Sequence, residues 1–157
     1  MSQKPQTTKP APPGWPRISS ALFYDDANAA IDWLCAAFGF EIVLKVAGED
    51  GKVEHSELRF GEGLVMVADT GRQGHDGRLR GRSPRAIDGG NTQSLAIYVD
   101  DVDAHCEAAR AGGATILQEP QTTDYGAEYW SDRSYLCADP EGHLWWFMQR
   151  MRTGTPA

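Results

Sequence analysis

The chain has no run of apolar residues near the roughly 18 needed to span a membrane as a helix, and its first residues lack the apolar centre of a secretory leader. Cysteine is scarce. The three thiols are an odd number without metal-type spacing, which points to a reducing, cytoplasmic setting. Cys35 and Cys106 fall in helical patterns and Cys137 in a strand pattern, where each reads as a small buried apolar residue. Basic residues are also short: 15 Lys and Arg face 22 Asp and Glu, for a net charge of −7. That balance argues against a general nucleic-acid binder, which needs a basic face for phosphates. The local cluster from Arg72 to Arg85 reads as a solvated loop. No phosphate-binding loop, dinucleotide fingerprint or Ser-His-Asp arrangement occurs.

What is present is an ordinary globular composition of 157 residues, 41% hydrophobic and 24% charged. Residues 1–16 hold five prolines and read as a disordered, Pro-rich tail. From Ile18 to Tyr24 the pattern is a strand, and Asp25 and Asp26 can cap the helix that follows. Ala27, Ala30, Ile31, Leu34 and Phe38 carry helical spacing, and Gly39 stops the helix. Strands are expected at 40–47, 53–60 and 64–68, separated by glycine turns. A glycine-rich loop then covers 70–91. At Ser94 the series restarts: a strand to Val99, a helix to Ala111, a strand at 114–118, a second loop over 119–132, and strands at 133–138 and 143–149. Asp139-Pro-Glu-Gly142 has the composition of a type I turn. Residues 151–157 read as a flexible tail.

The restart is a repeat. Ser19 falls on Ser94, and at the same offset Asp25 meets Asp100, Asp26 meets Asp101 and Asp32 meets Glu107. Glu62-Gly63 likewise meets Glu141-Gly142. Self-similarity of this kind defines the fold. The expectation is an α+β domain over 17–150, made of two tandem βαβββ modules (17–69 and 92–150) that form a curved mixed sheet around a cleft.

The residues Ala30-Ile-Asp-Trp-Leu34, Phe38-Gly-Phe40, Tyr98-Val-Asp-Asp-Val102, Ala111-Gly-Gly-Ala114 and Asp139-Pro-Glu-Gly-His-Leu-Trp145 carry a resemblance. On these segments the chain resembles the glyoxalase/bleomycin-resistance/extradiol-dioxygenase superfamily, also called vicinal oxygen chelate proteins, and within it the uncharacterised or drug-binding branch. Metal-using members place ligands at the start of each module's first strand and on its last strand. The resemblance maps those positions onto Ser19, Ser94, Trp146 and Val67, or Met66 if the register slips by one. None is an ordinary divalent-metal ligand. The resemblance therefore implies the fold without a metal cofactor, and argues against glyoxalase-type or dioxygenase-type catalysis. It also implies a homodimer, with the modules paired within or between chains.

Alternation along strands puts Ser19, Ala21 and Phe23, and Ser94, Ala96 and Tyr98, on the cleft side, with Val65, Val67, Leu144, Trp146 and Met148 beside them. Such a lining suits a planar, largely apolar organic ligand. Polar anchors are expected from His55 and Glu57 on the third strand and from Trp130, Asp132, Arg133 and Tyr135 near the second loop, with Arg133 beside Asp132 as a surface pair. His55 and Glu57 share a strand face and could act as acid and base. His75 lies in the first loop, His105 on the polar side of a helix, and His143 after a turn glycine. Three functions follow from this reading. The foremost is a metal-independent binder of a small organic molecule, for which the acidic charge would favour a cation. The alternatives are a lyase, isomerase or dioxygenase-type enzyme built on His55 and Glu57, and a regulatory or interaction module without a small ligand.

Overall fold

The computed structural model describes residues 9–71 and 80–154, so His75 lies outside the described residues. The first module runs β1 (Ser20–Tyr24), α1 (Ala27–Trp33), β2 (Glu41–Ala47), β3 (Val53–Phe60) and β4 (Gly63–Asp69). The second runs β5 (Leu95–Tyr98), α2 (Val102–Ala111), β6 (Thr115–Asp124), β7 (Trp130–Ala138) and β8 (Leu144–Thr153). Each module forms its own four-stranded sheet, ordered β1-β4-β3-β2 and β5-β8-β7-β6. In each, the first strand pairs in parallel with the last, and the other pairings are antiparallel. This is the α+β, two-module fold expected from the repeat.

The duplication is visible in the caps. Asp26 accepts from the Ala29 amide at 2.9 Å and Asp101 from the Ala104 amide at 3.0 Å, each satisfying an orphan donor of its helix. On each module's last strand, a side-chain oxygen takes the first helical amide: Asp69 that of Ala27, and Gln149 that of Val102.

The helix-facing sides of the two sheets share one hydrophobic core. After Trp33 the first helix widens into a π-turn over Leu34–Phe38, which ends at Gly39 in the left-handed region. The turn drives Phe38 into the second module, edge-on to Trp145 and Phe147 at centroid distances of 5.3 and 4.8 Å. The Trp33 indole donates to the Gly112 carbonyl at 2.7 Å. A Cβ on Gly112 would stand only 2.6 Å from that of Ala37, so glycine is what permits this approach.

A second tie is polar. The Asp139–Gly142 turn closes through the Gly142 amide and the Asp139 carbonyl at 2.9 Å. Asp139 Oδ1 accepts from the amides of Glu141, Gly142 and His143, while Oδ2 accepts from the Tyr24 hydroxyl and the Trp145 indole. Burial and then the Asp139 charge push the Tyr24 hydroxyl well above its ordinary pKa, so it stays a donor. Glu141 reaches into the first module and accepts from the amides of Asp25 and Asp26 and from the Ser83 hydroxyl.

Two expectations are corrected, and the loop at 70–91 gains detail. The segment 119–132 is not a loop. β6 and β7 extend through it as a hairpin, leaving only 125–129 as the turn. Its strands are exposed around Thr122 to Trp130, so no buried face imprints an alternating pattern. Pro120 sits on β6, the edge strand, where a missing N–H costs no ladder bond. The tail at 151–157 is not wholly loose either, because β8 continues to Thr153 opposite Trp130. Finally, the described part of the loop 70–91 carries a short 3₁₀ turn at Pro84–Ile87 and ties the modules through Ser83 and Asn91.

Replacing Glu141 with Ala strips the acceptor from three donors at a buried seam. The expected loss is about 3 kcal/mol of unfolding free energy in urea titration. A loss below about 0.5 kcal/mol would show that this tie is dispensable.

Candidate functional site

The parallel pairing of β1 with β4 settles which side chains share a face. Leu22 lies opposite Val67 and Tyr24 opposite Asp69, all turned toward the core, while Ala21 and Phe23 lie opposite Met66 and Ala68 on the free face. Val67 is therefore a core residue, 0% exposed, and not a cleft residue. The register slips by one, and Met66 takes the position. Val65 moves to the core side with it. In the second module Ala96 lies opposite Trp146 and Tyr98 opposite Met148, so Trp146 keeps the free-face position inferred for it.

Two further residues sit on the opposite side from that expected. Tyr135 is fully buried beneath α2, stacked on Phe147. Arg133 points the same way and makes a bidentate pair with Asp103 of α2, both contacts at 2.8 Å. Asp132, on the other face, takes Arg150 as its partner, so the adjacent Asp132 and Arg133 do not form a pair. The cause is strand alternation: neighbours in sequence face opposite ways.

Between the modules lies a cavity of about 960 Å³. Ile18 to Ser20, Phe40 and the β3–β4 turn with its flanks form one wall. Gln93, β5, the start of α2 and His105 form the other. Its floor is apolar (Leu64, Val65, Leu95, Ile97), and Glu62, Asp100 and Asp101 stand at its margin. The size and lining fall in the range of small-molecule sites. Of the residues placed on the cleft side from sequence, Ser19, Val65, Ala96 and Tyr98 line it. Ser19 already donates to the Leu64 carbonyl at 2.5 Å. Phe23, His55, Glu57, Ser94, Trp130 and Trp146 lie outside it. Phe23 is half-buried against Gly81, whose Cβ would meet its ring at 2.1 Å.

His55 and Glu57 do come together, with Nε2 to Oε1 at 3.0 Å on the free face of the first sheet. On the free face of the second sheet Asp132, Tyr98, Trp130 and Arg150 form a connected group. Arg150 was missed from sequence. The available signal was its place two residues after Met148, on a strand whose even-numbered residues already pointed to the cleft.

His105 also departs from expectation. It is half-buried, not on the polar side of its helix. One ring nitrogen meets the Tyr135 hydroxyl at 2.8 Å and the other the Phe38 carbonyl at 3.0 Å. With a carbonyl accepting at Nε2, Nδ1 accepts the tyrosine proton, which requires the neutral ring. Burial, its largest perturbation, lowers its pKa. His143 donates to the Phe23 carbonyl at 2.8 Å and is structural. Cys106 and Cys137 are buried, and burial pushes the Cys137 thiol up to about 12, which makes it unreactive.

The positions that the resemblance assigns to metal ligands carry Ser19, Ser94 and Trp146, with Met66 in place of Val67. No set of three His, Cys, Asp or Glu side chains converges anywhere among the described residues. Two hydroxyls, a thioether and an indole do not fit a divalent metal.

The duplicated βαβββ scaffold has its counterpart in a known superfamily. The model of the Glyoxalase/Bleomycin resistance protein/Dioxygenase superfamily matches residues 17–147, and the chain belongs to that family. It is 35% identical over 137 residues to an uncharacterised protein of Mycobacterium bovis, covering 87% of this chain and 85% of that one. The same identity holds to an uncharacterised protein of Mycobacterium tuberculosis, of which 76% is covered. Among solved structures, TioX from Micromonospora sp. ML1 is similar at 32% identity and a TM-score of 0.64, over 85% of this chain and 98% of that one. A fosfomycin resistance protein, FosX, from Listeria monocytogenes, solved with Mn(II), shares the fold at 15% identity and a TM-score of 0.53, over 87% of this chain and 88% of that one.

The lowered pKa of His105 sets a pH dependence. The fold prefers the neutral ring, so this contribution is complete above the unfolded value of 6.5 and declines as pH falls below it. Between pH 7 and pH 5 the urea midpoint of the wild type should drop more than that of His105→Gln. Equal drops would remove His105 from the account.

Proposed function

We propose that the protein binds a small, largely apolar or aromatic organic molecule in the inter-module cavity, without the superfamily's catalytic metal. The observation that carries this reading is the cavity itself: about 960 Å³, apolar in its floor, with Ser20 and Gln93 on its walls and Glu62, Asp100 and Asp101 at its margin as polar groups. Ser, Met, Ser and Trp at the family's ligand positions support the metal-free part. TioX and FosX support the fold and lend no ligand.

We infer a homodimer. β2 is an edge strand whose Ile42, Val43, Leu44 and Val46 are all at least 40% exposed. An uncovered apolar edge invites association, and a second copy would cover it. No described helix is long and apolar enough to cross a membrane, and the acidic charge disfavours nucleic acid as a partner.

The contact between His55 and Glu57 favours one second reading, an acid–base enzyme working on the free face of the first sheet. In that case His55→Ala would abolish turnover of a substrate while leaving the fold intact. A purely regulatory or interaction module would show no stabilisation by any small molecule.

Two measurements test the binding reading. Elemental mass spectrometry of protein purified without chelator should find below about a tenth of an equivalent of any transition metal, because a functional site binds tightly. Near one equivalent of zinc, iron, nickel or manganese would overturn the metal-free part. A thermal-shift panel of planar aromatic compounds should give hits, with about 2.7 kcal/mol of stabilisation at a hundredfold excess over Kd. Leu95→Trp, which fills the cavity from β5, should remove them. Hits that persist in Leu95→Trp would place the ligand elsewhere.

A further inference from the structure

The free face of the second sheet holds a guanidinium in an unusual setting. Arg150 Nε donates to Asp132 Oδ1 at 2.5 Å, and its Nη2 donates to the Tyr98 hydroxyl. That hydroxyl donates in turn to Asp132 Oδ2 at 3.0 Å. Both oxygens of Asp132, which is 6% exposed, are thereby engaged, and the carboxylate has no evident need of a further cation. Guanidinium carries five N–H donors. Two are committed, so three remain, and two of these, one on Nη1 and one on Nη2, form the end-on edge. Among the described residues Nη1 has no hydrogen-bond partner. The plane of the group is held as well: its carbon lies 5.2 Å from the ring centroids of both Tyr98 and Trp130. Those rings are 49% and 41% exposed, so each leaves aromatic surface open beside the free donors.

The other arginines at this end are differently placed. Arg133 spends its fork on Asp103, and Arg152 is bonded to Asp124 and to the carbonyls of Gly126 and Ala127. The hairpin that supplies Trp130 belongs to the part of β6 and β7 that outgrows its counterpart: β6 has 10 residues where β2 has 7. The array is therefore a departure of the second module from the shared repeat.

We propose that Tyr98, Trp130 and Arg150 form a subsite for a planar aromatic carboxylate. Its ring stacks beside Trp130 and Tyr98, and its two oxygens take the free edge of Arg150 in a bidentate pair. Asp132 is a positioning residue that fixes the guanidinium. The local valence is that of a donor, which runs against the acidic charge of the whole chain. Arg150 and Trp130 do not line the inter-module cavity and Tyr98 borders both sites, so a variant that fills the cavity from Leu95 tells the two apart.

The test uses 2-naphthoate and 1-naphthylmethylammonium as probes, followed by calorimetry and tryptophan fluorescence on the intact protein. Naphthoate is expected to bind at least about tenfold tighter than the ammonium, and to weaken as salt is raised. Arg150→Met should cost naphthoate about tenfold or more, and Arg150→Lys should not restore it, because lysine lacks the fork. Should Arg150→Met unfold by leaving Asp132 unpaired, Trp130→Ala keeps the ion pair and should still weaken naphthoate several-fold. Leu95→Trp should leave naphthoate binding unchanged. Equal or tighter binding of the ammonium, naphthoate affinity unaffected by both Arg150→Lys and Trp130→Ala, or its loss in Leu95→Trp would overturn the proposal.

Discussion

Asp139 and Glu141 sit two residues apart on one turn, and between them they accept eight hydrogen bonds from both halves of the molecule. Buried carboxylates are costly unless their lone pairs are filled. Here the donors are backbone amides around the turn and at the start of α1, together with Tyr24, Ser83 and Trp145. The turn is closed by its own amides, and Glu141 and Tyr24 then fix it to the strand-to-helix corner at Asp25 and Asp26. Everything that makes a site between the modules inherits its geometry from this seam.

The seam explains why two copies of one motif ended with different faces. The structural features common to both modules are those that fold them: the capping aspartates, the parallel pairing of first and last strands, and the side-chain acceptor at the first helical amide. The free faces carry none of these duties. One bears His55 and Glu57, the other Asp132, Tyr98, Trp130 and Arg150, and neither set has a counterpart at the equivalent strand positions opposite.

Much of the fold was legible because repetition doubles every local signal. Asp25-Asp26 and Asp100-Asp101 announce the same corner twice, and the helix-side residues of β5 gave its register correctly. The candidate site was legible only in part. A strand flanked by apolar residues on both sides, such as Val65-Met-Val67, contains no information about which of them faces a cleft, and the parallel partner decided it. Arg133 and Tyr135 were misread for the opposite reason: their residue types suit a ligand site, but alternation consigns them to the side beneath α2. The extension of β6 and β7 was invisible because an exposed ribbon needs no periodicity. His105 shows the limit in another form, since a polar residue on a helix gave no hint that a turn from the other module would reach over it.

The contact at Gly112 bears on how any molecule could enter. Wherever two lobes enclose a cavity, the simplest way to admit a guest is to swing them apart. Here Gly112 meets Ala37 with no room for one more carbon, the Trp33 indole is bonded across the same joint, and Phe38 is sunk among aromatic rings of the far lobe. Rotation about that joint would expose a shared core, so the lobes behave as one rigid frame. Access and selectivity must then rest on the cavity's open side and on the side chains around it. Affinity gained there would come with little entropic cost for closing the protein around its guest.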